Sequence, residues 1–477
     1  MDNHGSRNRE RVEEAAPARR RWPVRVLLAS LAGALVLGGA VLVLRPGGEP
    51  VRRPPQPAAG AQAQAAVRAG VPAALPDLDA LIAEREAYLR TRPKDAAAWA
   101  VLGTAYVEQG RRTADAAGAF PKAERALRTS LTVRERGNAE ALEGLAVLAN
   151  ARRDFRAARG YAEEALKAQP KRWTAYGPLI DACTGVGDYK AAGRALDRLT
   201  ALHSGPAVRA RAAGVFRDRG WREDAAAALA DAAAAARNPS EQAAYLERAG
   251  QLAFERGEPE VALRHFSEAV RLDPDQRAGQ AGQGRALAAL GRTSEALSAY
   301  RVALERQPLP AYALELGELY DSLGLAQPAR VQYDLLRERV RLEESGGVDD
   351  ALVLGRLEAD HGDAVEAVRL LRAEWQRQPG IEVADALGWA LHRAGQDREA
   401  LRFAVAATDR EHGGTVRSAP YAFHRGMIEK SLGQTGPARR HLQEALRINP
   451  YFSPLDAQEA RSALAALGEP PQTKIPS

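Results

Sequence analysis

Eight histidines, at positions 4, 203, 265, 361, 392, 412, 424 and 441, are the first places to look for catalysis or metal binding. None follows the H-E-x-x-H spacing that sets two imidazoles on one helix face around zinc. The one cysteine, Cys183, excludes a disulfide within the chain and any zinc site built on a Cys pair. Gly279, Gly282 and Gly284 evoke a loop that cradles phosphate, but their order is G-x-x-G-x-G and no strand precedes them. No nucleophile-elbow, Walker or kinase element occurs. The residues therefore predict a non-catalytic chain with no cofactor and no metal. Its histidines then serve helix packing or the surface, and Cys183 is a buried structural thiol.

Charge locates a second feature. The chain of 477 residues carries a formal charge of +6. Residues 1–75 hold 11 Arg against five acids, so residues 76–477 balance at 56 basic and 56 acidic side chains. A nucleic-acid surface needs concentrated positive charge to release counterions, and none is indicated. The basic excess lies instead beside Val26–Leu44, 19 uncharged residues rich in Leu, Val and Ala. As a helix this segment would be about 28 Å long, close to the roughly 30 Å hydrocarbon core of a bilayer. Seven arginines precede it and Arg45, Arg52 and Arg53 follow, which predicts the N-terminus inside and the rest outside a cytoplasmic membrane. Ser30, Ala34 and Gly38 recur every four residues, a spacing through which such a helix could self-associate. Residues 1–25 read as a basic cytoplasmic tail, 26–44 as a single-pass transmembrane helix, and 45–75 as a Pro/Ala/Gln-rich coil spacer. Arginine outnumbers lysine 60 to 7 and alanine is abundant, the codon signature of a high-GC bacterial genome.

From Pro76 the chain reads as helices. Gly187, Gly220, Gly257, Gly291, Gly324, Gly362, Gly395 and Gly433 recur at intervals of 33 to 38 residues. A period near 34 in an all-helical chain points to stacked helix-turn-helix units. Within them Leu246, Gly250, Gly257, Ala262, Phe266, Ala269 and Pro274 form one series. Leu316, Gly317, Tyr320, Gly324, Ala329 and Tyr333 form another, and Trp99, Leu102, Gly103, Tyr106 and Gly110 a third. These residues resemble the tetratricopeptide repeat family, with its W-x2-L-G-x2-Y and A-x3-F-x2-A pattern. The resemblance spans about 390 residues and is carried by the periodic series rather than by any one match. It implies an all-α, right-handed superhelical solenoid of about ten repeats over 76–467, closed by a capping helix from Ser453 to Leu467. Residues 468–477 read as a disordered tail. In the second unit Arg153 stands where the turn glycine is expected, and about nine surplus residues separate Gly110 from a second helix expected to begin at Pro121.

The resemblance also implies a role: a concave groove presented to peptides or protein partners. In the family the second, fifth, ninth and twelfth positions of each first helix face that groove. Mapped here they give Glu140, Glu143, Asp181, Glu247, Gln251, Glu318 and Asp321, then Trp389, His392, Phe423, Met427 and Lys430. The expectation is an acidic N-terminal groove and an apolar C-terminal one, the latter supplying most of the binding energy through its buried aromatics. Carboxylate capture by Lys and Asn, used by some relatives, is not expected because acids replace those residues. The function expected is a membrane-anchored, non-catalytic scaffold or receptor in a cell envelope. The alternative is a cytoplasm-facing factor that holds an enzyme complex at the membrane.

Overall fold

The computed structural model describes residues 58–408 and 415–468, and the expected basic tail, transmembrane span and C-terminal tail lie outside them. Among the described residues there are 23 α-helices, one 3-10 turn and no strand. None of these helices is long and apolar enough to cross a membrane.

The first two helices, α1 (Ala59–Ala69) and α2 (Leu75–Thr91), pair ahead of the repeats. The sequence reading made 45–75 a coil, and α1 corrects it for 59–69. Ala63, Ala66 and Val67 bury a small-residue stripe against Leu78 and Leu81, so even this polar stretch gains enough apolar contact to order. Ten hairpins follow. They are α3 (Ala96–Thr113) with α4 (Ala116–Val133), α5 (Ala139–Ala151) with α6 (Phe155–Ala168), and α7 (Tyr176–Gly185) with α8 (Tyr189–Leu202). Next come α9 (Pro206–Asp218) with α10 (Arg222–Ala234), α11 (Pro239–Glu255) with α12 (Pro259–Leu272), and α13 (Arg277–Ala289) with α14 (Thr293–Arg306). The last four pair α15 (Pro310–Ser322) with α16 (Ala326–Glu344), α17 (Ala351–His361) with α18 (Ala364–Arg377), α19 (Ile381–Arg393) with α20 (Asp397–Thr408), and α21 (Ala419–Ser431) with α22 (Thr435–Ile448). A final helix, α23 (Asp456–Ala466), covers the end; Ser453 Oγ accepts from the amides of Leu455 and Asp456 at its entry.

Packing explains the repeated small residues. A Cβ at Gly250 would lie 2.7 Å from the Phe266 ring, so the glycine makes room for a large side chain of the partner helix. Gly282 and Gly284 do the same for Phe266 and Tyr300, which accounts for the glycine cluster without any phosphate. The surplus residues of the first repeat form no loop. They lengthen α3 and α4 to 18 residues each, and Pro121 lies inside α4 rather than opening it. Asp115 caps the start of that helix by accepting from the amide of Gly118.

The array coils until residues 192 to 225 apart in sequence meet. At about 34 residues per unit that is about six repeats per superhelical turn, with the second turn stacked on the first. Arg153 takes the left-handed backbone conformation at φ 59° in place of glycine, and its side chain pairs across the turns with the buried Asp350.

Candidate binding channel

Stacking the turns converts an open groove into a channel whose inner wall is made by the first helix of each repeat. Two connected chambers occupy it. The N-terminal chamber, about 640 Å³, is bordered by Asp181, Arg211, Asp218, Glu247 and Arg248, with Asp349 and Glu382 from the second turn. The C-terminal chamber, about 750 Å³, is bordered by Glu315, Glu318, Arg356, Asp360, Asp385, Trp389, Tyr421, His424 and Asp456. Arg217, Gln251, Glu255 and Tyr421 border both.

In the N-terminal half, arginines from the next repeat answer the acids. Arg172 pairs with Glu143 and, at 3.2 Å, with Glu140, while Thr174 donates to Glu143 at 2.9 Å. Arg211 pairs with Asp181. In the middle the arginines come from the preceding repeat instead. Arg217 grips Glu255 with two bonds of 2.7 and 2.8 Å, and these hold the carboxyl below its ordinary range against the cost of burial. Arg285 grips Glu315, which also accepts from Tyr300 at 2.8 Å. The expected acidic groove is therefore largely neutralised. The exception is Glu247, which has no hydrogen bond or ion pair among the described residues, and burial pushes its carboxyl up.

The C-terminal half differs from expectation in the opposite sense. Trp389 is 4% exposed, Phe423 fully buried and Met427 buried, all within one apolar cluster. The helices that follow them are the cause. Phe423 lies 5.6 Å from Trp389 and 5.5 Å from Phe452, beside the segment that leads into α23. Ala460 and Ala463 of α23 complete the same cluster. These three side chains are core, not a docking stripe. His392 is engaged too, its Nδ1 2.5 Å from Asp397 at the start of α20.

What faces the chamber instead is polar. Trp389 Nε1 donates to Asp360 at 2.9 Å, and His424 stacks on the Trp389 ring at 4.4 Å. The Nδ1 of His424 lies 3.0 Å from Asp385; this nearly buried carboxylate raises the imidazole pKa against the effect of burial. Asp321 accepts from Tyr333 at 2.6 Å. Glu318 has no hydrogen bond or ion pair among the described residues. Burial, then the carboxylates of Asp456, Asp360 and Glu315, drive its pKa well above the usual carboxylate range, opposed by Arg356. Burial likewise lifts Asp456 to about 6, with His424 opposing and Asp360 adding to the shift. In the N-terminal chamber burial lifts Asp218 to about 6 as well, against the pull of Arg217.

The sequence reading missed Asp360, Asp385, His424 and Asp456. Asp385 sits at the fifth position of its helix and the same positional rule would have found it. Asp456 belongs to the capping helix, to which a repeat rule does not extend. Cys183 is buried, and burial raises its thiol pKa. Among the described residues no group of His, Cys, Asp and Glu could hold a metal ion.

Comparison with known families bears on the backbone. The sequence model for the Tetratricopeptide repeat matches residues 247–309, which are α12, α13, α14 and the end of α11. The chain carries tetratricopeptide repeats. Solved structures similar to the array include a tetratricopeptide repeat protein from Parabacteroides merdae. It is 17% identical over 55% of this chain and 98% of that one, with a TM-score of 0.32. Human IFIT1, solved as a dimer with PPP-AAAA, is 13% identical over 82% and 94%, with a TM-score of 0.45. Pseudomonas aeruginosa pilF is 18% identical over 46% and 97%, with a TM-score of 0.34. No curated protein matches the sequence.

Proposed function

We propose that this chain is a non-catalytic scaffold or receptor that holds an extended, basic segment of a partner protein inside its channel. Tetratricopeptide repeats are suited to protein–protein interaction, and the observation that carries the reading is the C-terminal chamber. There Glu318 has no hydrogen bond or ion pair among the described residues, and burial, Asp456, Asp360 and Glu315 raise its pKa against the pull of Arg356. A guanidinium or ammonium group entering the chamber would restore the ionised form of Glu318 and relieve its repulsion with Asp456. Complementary charge of this kind fixes register and rejects acidic segments.

Membrane attachment belongs to the same proposal. Val26–Leu44 would anchor the chain as one span, with residues 1–25 inside and the array outside the cytoplasmic membrane, and the anchor helices could pair through Ser30, Ala34 and Gly38. Support comes from the uncharged run and from the seven arginines before it against three after. A photo-crosslinking residue at Gln251, in the channel, should capture a partner in cells; one at Val331, which is 63% exposed, should not. Equal capture from both positions would overturn the channel as the binding site. An export-dependent reporter fused after Leu467 should be active, and an inactive one would overturn the outside orientation.

A further inference from the structure

The channel is obstructed at its N-terminal end and bordered by the capping helix at the other. At the N-terminal end the α1–α2 connection, Ala69 to Pro72, sits against Glu143, Arg211, Tyr245 and Arg248 of the inner wall and leaves only about 70 Å³. Arg112 holds that connection by donating to the carbonyl of Ala73. At the other end α23 borders the C-terminal chamber with Asp456, Ala457 and Arg461. A partner segment therefore finds no open axial route at the N-terminal end.

The side of the channel is closed differently. Where the second turn lies on the first, the contacts are polar and regularly spaced. Gln307 donates to the carbonyl of Arg111 at 2.8 Å, and Arg152 to that of Gly346 at 2.8 Å. The amide of Phe155 donates to Gln378 at 3.1 Å, and that of Ile381 to the Tyr189 hydroxyl at 3.2 Å. Thr415 donates to the carbonyl of Asp218 at 2.8 Å, and Asn449 to that of Phe254 at 2.8 Å. The apolar clusters, by contrast, run along the chain within a turn; Val348 is the core residue that reaches across. A hydrogen bond broken at this seam is exchanged for one to water, whereas a broken apolar contact is not. The buried carboxylate of Asp350 pairs with Arg153 across the seam, a charged contact that opening must break.

We infer that the seam is the entrance: the two superhelical turns part along it, admit an internal segment of a partner sideways, and close over it. The N-terminal obstruction and the polar seam carry this inference independently of which side chains the partner presents.

The test places nitroxides at Arg156→Cys and Gln376→Cys in the full chain. Both positions are exposed, they meet across the seam where Arg156 donates to the carbonyl of Gln376 at 2.9 Å, and the native Cys183 is buried. With the seam intact, pulsed electron paramagnetic resonance should give one short distance. Adding Gln378→Ala and Asn449→Ala should create a second, longer population while helical circular dichroism stays unchanged. Thr415→Val, which removes one seam bond, provides a milder variant should the double one fail to fold. A single short distance in a folded seam variant would overturn the inference.

A bis-maleimide tether between the same two cysteines gives the functional arm. The probe is an arginine-rich segment held in a surface loop of a folded carrier, so that it has no free end. Its association with the tethered chain should slow at least about tenfold, and an unchanged rate would overturn sideways entry. Failure of the probe to bind the untethered chain would count against the proposed basic partner, and the distance measurement would still decide the seam.

Discussion

The two halves of the inner wall share one backbone geometry and differ in how their charges are answered. In the N-terminal half, Glu143 and Asp181 each meet an arginine 29 or 30 residues further on, supplied by the next repeat. In the C-terminal half, Arg356 of the next repeat borders the chamber but makes no ion pair with Glu318, and burial, Asp456 and Asp360 raise the pKa of that carboxyl. A solenoid repeats positions, not chemistry. Whether an acid on the wall belongs to the structure or is left for a ligand depends on the residues of the repeats beside it.

The largest effects should come from the apolar side chains behind the C-terminal wall. Phe423→Ala and Trp389→Ala should each cost about 3–5 kcal/mol of stability, seen as a large fall in thermal midpoint. A loss of partner binding with stability unchanged would return these residues to the groove and erase the contrast. Next is Arg285→Leu, which leaves Glu315 with Tyr300 as its remaining donor. It should cost about 2 kcal/mol, the range for hydrogen bonds to charged groups, measured by urea unfolding. No loss would mean that pairing on the wall is incidental.

The smallest effect has the opposite sign. Glu318→Gln should stabilise the chain at pH 7.5, by roughly 1 kcal/mol or less after solvent in the channel is allowed for. The folded-state pKa of Glu318 is raised, so its contribution to stability is full below the unfolded value and falls as pH rises toward the folded one. Thermal midpoints of variant and parent should therefore converge toward pH 4. A benefit of Glu318→Gln that persists there would show that the carboxylate is not under charge strain.

Much of the fold was legible. Turn glycines, proline stops and the Gly250–Phe266 type of pairing are local and periodic, and they locate ten hairpins. The inner wall was legible only as positions. Phe423 occupies a groove position by rule, yet the segment leading into α23 covers it, and a capping element breaks the periodicity on which the rule depends. Nor could the period reveal the stacked turns, because contacts 192 to 225 residues apart leave no short-range mark. Gly220 and Gly291 share a left-handed backbone, φ 74° and 71°, but a Cβ at Gly220 would lie 2.5 Å from the Thr415 carbonyl while Gly291 faces open space. Such a glycine serves its turn and its neighbour in the next coil at once. Arg153 also shows that a non-glycine residue can hold the turn when a cross-seam partner fixes it.

The most direct test of the account is a calorimetric titration of a hexa-arginine peptide into the full chain, the Glu318→Gln/Asp456→Asn variant and the Glu143→Gln variant. The account predicts that the double variant binds at least about tenfold more weakly, roughly 1.4 kcal/mol, and that Glu143→Gln changes affinity less than about twofold. It also predicts that binding to the parent chain releases protons as Glu318 ionises against the incoming guanidinium. Equal losses in both variants, or no loss in either, would contradict the assignment of partner recognition to the C-terminal chamber.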